Sequence, residues 1–406
     1  MNKEILEKYA DVLMWGLREA RKTTGEGAEY QKGDIIHITC YLRAMKLAEI
    51  LQGKILKEGM FPVVDLVKPA SMELNFYKKA INDEQLSFLA PGKKELYKKL
   101  NGRIVLWAPE SLTHLKKIDP QKLNQTDKVV GALREIAQKR ELEGLLGWTL
   151  CLIPTPATAK QAKMTLKDYT DEVIKSCYLD TANPVGKWMQ LAQEIKELKR
   201  WLNQLTEKTD RFHIVSKNTD LWITPGEKRQ WVGVSGHNIP SFELFISPNW
   251  RGTEGTYFAD QPSFRKGNYI EKVSLIFKKG RAVEIKAEKG KKFTIGQLTM
   301  DKGASQVGEF SLTDKRFSPI GKFMANTLFD ENVGQPNGNC HIAVGDSYPD
   351  TYSGDPKMLT KKMQRELGFN ESDLHWDLVN TEDKTVTAHR KSGESLIIYE
   401  NGMFRH

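Results

Sequence analysis

The chain has 406 residues, more than one hydrophobic core usually serves, so its length alone predicts two domains. Its hydrophobic share of 39% is enough for packed cores, and 61 Lys and Arg against 52 Asp and Glu give a net charge of +9. The basic residues are interleaved with acidic ones rather than gathered in blocks with aromatic side chains, which argues against a nucleic-acid-binding or membrane-surface protein.

The first half of the sequence alternates helical and strand patterns. A helix is predicted at the start, where apolar residues recur at helical spacing from Ile5 to Leu17. A strand over residues 34–40, a helix over 42–60 and a strand over 61–67 follow it. This order is typical of a parallel βαβ unit with a right-handed crossover.

Two more strands are predicted at residues 103–107 and 148–153, with a helix at 128–143 between them. The pattern therefore predicts an N-terminal α/β domain with a largely parallel sheet. Helical spacing then dominates from about residue 165 to 205. Placing the boundary at the end of that stretch gives an N-terminal domain of residues 1–205 and a C-terminal domain of residues 206–406.

The second half changes to an alternation of period two. Apolar residues alternate over 273–277 and 283–287, on either side of a glycine-containing turn, which predicts a hairpin. Residues 386–399 repeat the pattern around Gly393. The C-terminal domain is therefore predicted to be β-rich and mostly antiparallel.

His375 and Asp377 form a candidate metal-ligand pair. Side chains two apart on a strand share one face, so these two would present an imidazole and a carboxylate to the same point. Trp376 and Leu378 would take the opposite face. Burying two ionisable groups without a partner would be costly, and a metal ion would remove that cost.

Further ligands of the same kinds lie upstream. They are Glu243, Glu309 and His341. Any one of them alone is at least as well explained as a surface charge or a satisfied core histidine. Together with the pair they offer three carboxylates and two imidazoles, the mixed oxygen and nitrogen donors that borderline and hard divalent cations prefer.

Other chemistries fit the sequence poorly. The Gly-Glu-Gly run at residues 25–27 lacks the third glycine of a dinucleotide-binding fingerprint and follows no predicted strand. Residues 233–237 are similar to a nucleophile elbow around Ser235, but the last position is His rather than Gly. Cys340 and His341 are neighbours that would point to opposite faces of a strand, and no H-E-x-x-H motif occurs.

The motifs around the candidate ligands resemble a known family. They are Asn238-Ile239-Pro240-Ser241-Phe242-Glu243, Arg251-Gly252-Thr253-Glu254-Gly255, Gly308-Glu309-Phe310, Leu328-Phe329-Asp330-Glu331-Asn332 and His341-Ile342-Ala343-Val344-Gly345. Their order is similar to that in the thermophilic aminopeptidase family of metallopeptidases, which includes the aminopeptidase T and S types. The resemblance covers essentially the whole chain and is densest from about Gly236 to Val379, and one departure from the pattern is the loop at residues 334–338.

The resemblance implies a dinuclear site. The residues that match the family's metal ligands are Glu243, Glu309, His341, His375 and Asp377. They would bind two divalent ions, whether zinc, cobalt, manganese or magnesium, with Glu309 bridging the ions or handling a proton. Tyr348, seven residues after His341, matches a tyrosine beside the metals that would donate a hydrogen bond to the oxyanion.

The expected protein is a metallo-aminopeptidase that hydrolyses N-terminal residues from peptides through a hydroxide held between the two metals. The family resemblance implies a homodimer that acts on peptides with a free N-terminus. A charged N-terminus, no apolar run of about 18 residues and four scattered cysteines favour the cytoplasm, without membrane or nucleic-acid partners. Two alternatives stay open: another dinuclear metallohydrolase, acting on a different amide or a phosphoester, and a non-enzymatic binding protein on the same scaffold.

Overall fold

A computed structural model describes residues 1–23 and 27–406, so Gly25 and Glu26 of the rejected glycine signature lie outside the described residues. The chain divides into two compact units. Unit 1 comprises Met1–Met189, Ser235–Pro240 and Lys266–Asn268, and unit 2 comprises Gln190–Val234, Ser241–Arg265 and Tyr269–His406. The division into domains at residue 205 stays a prediction.

The regular elements are numbered in chain order. The α-helices of the described residues are α1 (Lys3–Thr23), α2 (Met45–Lys57), α3 (Ala70–Lys79), α4 (Asp83–Leu86), α5 (Lys93–Lys99), α6 (Pro120–Leu142), α7 (Pro156–Gln161), α8 (Leu166–Ser176), α9 (Pro184–Lys208), α10 (Lys291–Leu298), α11 (Thr327–Asp330) and α12 (Lys361–Glu366). The strands are β1 (Ile35–Cys40), β2 (Phe61–Leu66), β3 (Gly102–Trp107), β4 (Gly147–Leu152), β5 (Thr209–Ser216), β6 (Asp220–Thr224), β7 (Asn238–Ile239), β8 (Glu243–Ile246), β9 (Asn249–Ala259), β10 (Ser263–Arg265), β11 (Asn268–Ile270), β12 (Val273–Lys278), β13 (Arg281–Lys286), β14 (Val307–Thr313), β15 (Asn339–Gly345), β16 (His375–Asn380), β17 (Lys384–Arg390), β18 (Ser395–Glu400) and β19 (Met403–Phe404).

The sheet of unit 1 is parallel, as the sequence predicts. Its described strands lie in the order β2-β1-β3-β4-β7, and each pairs in parallel with its neighbour. The predicted βαβ unit is β1-α2-β2, although the helix predicted over residues 42–60 begins as a 3-10 turn at Leu42–Ala44. Helix α1 packs on β4 and α2, where Leu13 and Leu17 are fully buried.

Unit 2 is rich in antiparallel strands. One sheet runs β13-β12-β9-β6-β5-β17-β18-β19, and a second runs β16-β15-β14-β8. Both predicted hairpins, β12-β13 and β17-β18, are antiparallel. The predicted fold class, a largely parallel α/β part followed by a mostly antiparallel β-rich part, is confirmed.

The two sheets of unit 2 pack face to face. The ring of Phe212 on β5 lies 6.1 Å from that of Phe310 on β14, measured between centroids. The hydroxyl of Tyr257 on β9 lies 3.2 Å from the carbonyl oxygen of Cys340 and 2.6 Å from that of Leu378. One face of the β16-β15-β14-β8 sheet is thereby covered, and alternation along each strand sends the intervening side chains to its other face.

The structure also describes the four thiols and the apolar character of the helices. All four cysteines are buried and free, and burial raises the pKa of Cys177 and of Cys340 to about 12, so both stay protonated and unreactive. Over residues 1–23 and 27–406, no helix has both the length and the apolar character needed to cross a membrane.

Candidate metal centre

The β16-β15-β14-β8 sheet brings the predicted metal ligands together on one face. Their positions are Glu243 on β8, Glu309 on β14, His341 on β15, and His375 and Asp377 on β16. In the register, Ala343 lies between Glu309 and Asp377 on the two neighbouring strands. Adjacent strands are only about 4.7–4.9 Å apart, so residues distant in sequence come within reach of one ion.

The first donor group surrounds His341, which is buried. Its Nε2 atom lies 3.0 Å from Glu309 Oε1 and 3.2 Å from Glu243 Oε2. The donor atoms of these three side chains all lie within 4.8 Å of one another. The group therefore has the oxygen and nitrogen donors and the spacing for a divalent cation.

The second donor group shares Glu309 with the first. The Nε2 atom of His375 lies 3.6 Å from Glu309 Oε2 and 3.4 Å from Asp377 Oδ1, and the three donors again lie within 4.8 Å of one another. Glu309 thus directs one carboxylate oxygen toward each histidine. A carboxylate in this position can bridge two ions.

Hydrogen bonds from outside the two groups orient their members. The Nδ1–H of His375 donates to the carbonyl oxygen of Asp346 over 2.9 Å, which leaves Nε2 free to act as a ligand. The hydroxyl of the buried Ser311 donates to Glu243 Oε2 over 2.9 Å. Such partners fix ring and carboxylate orientation before an ion binds.

Gly308 is required for Glu309 to reach the site. The register of β14 against β15 shifts between Val307 and Glu309. A Cβ atom added at Gly308 would lie 2.2 Å from the carbonyl oxygen of Asp346 and 2.3 Å from that of Gly345. These are backbone atoms, so the clash could be relieved only by moving a strand, and glycine is the residue that fits this irregularity.

The charge balance of the cluster favours cations. Burial alone would lower the pKa of His341, but its hydrogen bond with Glu309 and the charge of Glu243 outweigh burial and raise the pKa to about 9. Burial also opposes protonation of His375, yet the charge of Asp377 and a hydrogen bond with it raise that pKa to about 9. Without metal ions both imidazoles are therefore protonated at neutral pH and supply positive charge among the carboxylates.

The pKa values of the carboxyl groups also indicate that the cluster binds positive charge. Burial raises the pKa of Glu243 to about 7 against the opposing charge of His341. Burial also acts to raise the pKa of Asp377, but the charge of His375 and a hydrogen bond with it lower it to about 2. Divalent cations would replace these protons, and all the donors are carboxylate oxygens and imidazole nitrogens, so the residues fit such ions.

Glu331 is a buried acid at the cluster that local sequence patterns do not indicate. Burial, followed by the negative charges of Glu243 and Asp377, raises its pKa well above the usual value. It directly follows the short helix α11, within the motif Leu328-Phe329-Asp330-Glu331-Asn332. A glutamate after a short helix is ordinarily exposed to solvent, so its burial is not expected from the sequence.

Tyr348 lies beside the second donor group. Its ring centroid is 4.6 Å from that of His375 and 5.7 Å from that of Phe245. The side chain as a whole is 37% exposed. Removal of the phenol group from water and the negative charges of Glu309 and Asp377 nevertheless raise the pKa of Tyr348 well above its usual value. The phenol therefore stays protonated and can donate a hydrogen bond at this face.

The rejected nucleophile elbow contains a separate chain of hydrogen bonds in unit 1. Ser235 Oγ lies 2.7 Å from His237 Nδ1, and His237 Nε2 lies 2.8 Å from Glu141 Oε1. Ser235 and His237 are only 8% and 7% exposed, and the ring of Trp148 lies 4.5 Å from the imidazole. A covered serine offers no access to a substrate carbonyl, so we interpret the chain as structural.

The comparison with known families identifies the class of protein. The family model described as thermophilic metalloprotease (M29) matches residues 2–404. The chain therefore belongs to the thermophilic metalloprotease family, and its activity is that of a metal-dependent peptidase. The resemblance stated from the motifs is confirmed.

Individual relatives agree with this assignment. Aminopeptidase AmpS of Bacillus subtilis is 28% identical over 79% of this chain and 80% of its own length. Aminopeptidase PepS of Streptococcus thermophilus is 24% identical over 98% of both chains. The solved structure of wild-type AmpT from Thermus thermophilus, 21% identical, covers 100% of both chains with a TM-score of 0.80, which shows that the fold is shared.

Proposed function

We propose that this chain is an aminopeptidase that removes N-terminal residues from peptides with the help of two divalent metal ions. The observation that carries the proposal is Glu309, whose two carboxylate oxygens serve two groups of donors on one sheet face. The names of the relatives, all of them aminopeptidases, support peptides with a free N-terminus as substrates. A homodimer in the cytoplasm, with residues 206–406 as the catalytic domain, belongs to the same proposal.

The donor groups divide between the two ions. Glu243 and His341 would hold one ion, His375 and Asp377 the other, and Glu309 both. When bound, divalent ions at such sites activate water and polarise a carbonyl group. Zinc, cobalt, manganese and magnesium all accept this donor set.

The protein's own side chains supply the remaining steps. Tyr348 would donate a hydrogen bond to the oxyanion that forms at the scissile carbonyl, a type of contact worth roughly 3–4 kcal/mol. Burial and the charges of Glu309 and Asp377 raise the pKa of Tyr348, which favours the protonated phenol that such a hydrogen bond needs. Glu309 is assigned to bridging; its alternative role, accepting the proton released from the attacking water, would require one of its oxygens to be free of an ion. Glu331 would carry a proton beside the donor groups, since burial and the charges of Glu243 and Asp377 raise its pKa well above the usual value.

A panel of aminoacyl chromogenic amides tests the proposal. The protein is stripped with a chelator and assayed before and after zinc, cobalt, manganese or magnesium is restored. We expect cleavage only with metal, and only of amides with a free α-amine rather than their N-acetylated counterparts. Cleavage of a phosphate-ester chromogen instead would establish the phosphoesterase alternative, and no turnover with any metal would favour a binding protein.

A further inference from the structure

Arg229 is a buried arginine of unit 2 whose guanidinium contacts backbone carbonyl groups and an aromatic ring. Arg229 is 4% exposed, and burial lowers its pKa to about 9 with no acidic side chain among the causes. Its guanidinium carbon lies 3.5 Å from the centroid of the Phe369 ring. Burying a charge in this way is unfavourable unless its donors are satisfied, so the position calls for an explanation.

Backbone carbonyl groups satisfy the guanidinium from three directions. Nε donates to Ser247 over 2.6 Å, Nη1 to Glu227 over 2.8 Å and Nη2 to Leu367 over 3.0 Å. The planar guanidinium thus joins three separate segments of unit 2 at fixed angles. Lysine lacks this fork of donors, and a neutral side chain of similar length would leave the carbonyl groups unpaired.

One of these segments, the one that contains Ser247, is hydrogen-bonded to Tyr348. Ser247 is fully buried, and its hydroxyl oxygen accepts a hydrogen bond from the backbone N–H of Tyr348 over 2.8 Å. Arg229 therefore holds the carbonyl group of Ser247 while the side chain of the same serine holds the tyrosine. Two hydrogen bonds separate the guanidinium from the backbone of Tyr348.

The residues beside Arg229 hold the turn that follows Tyr348. The backbone N–H of Gln230 donates to the carbonyl oxygen of Thr351 over 2.8 Å, and its side-chain amide donates to that of Asp350 over 2.9 Å. The N–H of Ser353 donates to the carbonyl oxygen of Lys228 over 3.0 Å. The 3-10 turn Pro349–Thr351 is thus anchored to the segment that carries the buried arginine.

We infer that Arg229 is a positioning residue for Tyr348, fixing the tyrosine against the metal-ligand face through Ser247. The inference rests on the proposed function, in which the phenol of Tyr348 stabilises the oxyanion. A donor displaced by about 1 Å can lose on the order of 100-fold in rate, so an anchor of this kind affects turnover more than substrate binding.

The test compares turnover of metal-loaded variants on an aminoacyl chromogenic amide. Arg229→Met is expected to lower kcat by about 10- to 100-fold with KM changed by less than about threefold. In the Tyr348→Phe background the same substitution is expected to have little further effect, because the phenol that it positions is gone. Ser247→Ala, which removes only the hydroxyl, covers the case that Arg229→Met fails to fold and should lower kcat in the same way.

Arg21→Met is the matched control, since Arg21 is a 5% exposed arginine in unit 1 that pairs with Asp34. The kcat of the folded Arg21→Met variant should equal that of the parent protein. Two results would overturn the positioning role of Arg229 while leaving Tyr348 in the mechanism. One is a loss of kcat in the Arg229→Met, Tyr348→Phe double variant equal to the two single losses combined, and the other is an effect of Arg229→Met on KM alone. A parental kcat in Tyr348→Phe alone would instead overturn the proposed role of the tyrosine and this inference with it.

Discussion

Glu309 is the residue on which both donor groups depend, since each group contains one of its carboxylate oxygens. Glu309→Gln keeps the shape of the side chain but removes its charge and half of its ligand capacity. We expect turnover to fall by at least about 100-fold, the scale of losing a positioned acid or base, while the fold is retained. Chromogenic turnover, bound metal per chain and circular dichroism of the variant together measure this.

Glu394→Gln is the control for Glu309→Gln, because Glu394 is an exposed glutamate of the same unit. It should behave as the parent protein does. A Glu309→Gln enzyme that kept both its turnover and two metal ions per chain would remove Glu309 from the mechanism.

Substitution of Ser311 shows how much the site's organisation before metal binding contributes to metal affinity. Its buried hydroxyl donates to Glu243, and loss of such an outer hydrogen bond typically weakens metal affinity by about 10- to 100-fold. We expect Ser311→Ala to show this loss in a competition titration against a chromogenic chelator. Ser176→Ala, at a buried serine of unit 1 whose hydroxyl has no hydrogen-bond partner among the described residues, should leave the affinity unchanged. Equal affinities in both variants would contradict the role of Ser311.

At the scale of elements, the irregularity in β14 is the feature most sensitive to substitution. Gly308→Ala places a methyl group against backbone oxygens, and overpacking of this kind costs about 1–3 kcal/mol. We expect a lower Tm and a loss of turnover, because relieving the clash moves Glu309. In Gly296→Ala, in α10, the added Cβ meets no atom of residues 1–23 and 27–406 within 4 Å. This variant should raise the Tm slightly, since alanine favours a helix by about 1 kcal/mol. Thermal unfolding that ranked the two variants in the opposite order would refute the argument.

The elements that could be predicted from sequence are those with a local signature. The alternation in β12 and β13 and the helical spacing in α1 are each visible within about a dozen residues. Helix α6 begins at Pro120, eight residues before the predicted start, and its signals were present in Asp119 as N-cap and Pro120 in the first turn. Strand β7 has only two residues and pairs with a strand far away in sequence, so no local pattern indicates it.

The candidate site shows the same limit. His375 and Asp377 could be paired from sequence because one strand places them on one face. Their distance to Glu243 depends on the register of four strands, which local patterns do not determine. The family resemblance indicates the full ligand set, which periodicity does not, whereas the hydrogen bond from Ser311 to Glu243 is seen only in the three-dimensional structure.

At the scale of the whole molecule, the buried cluster should make stability depend on both pH and metal. The pKa values of His341 and His375 rise from 6.5 to about 9 on folding, and that of Glu243 rises from 4.5 to about 7. Each group therefore binds its proton more tightly when folded. The stability it contributes is fully present below its unfolded pKa and is lost as the pH rises through its folded pKa.

We accordingly expect the Tm of chelator-stripped protein to fall from about pH 4.5, the unfolded pKa of Glu243, to about pH 9, the folded pKa of the two imidazoles, by about 2–4 °C for each kcal/mol lost. Metal ions require deprotonated imidazoles, so their affinity should increase over the same range and the gap between loaded and stripped Tm should widen. Replacing His341 and His375 together by glutamine should flatten the pH dependence, whereas His213→Gln, at a histidine paired with Asp220 on another sheet, should not. If the Tm of the stripped protein rose from pH 7 to pH 9, the two imidazoles would be neutral when buried. The cluster would then not attract positive charge, and this support for metal binding would be lost.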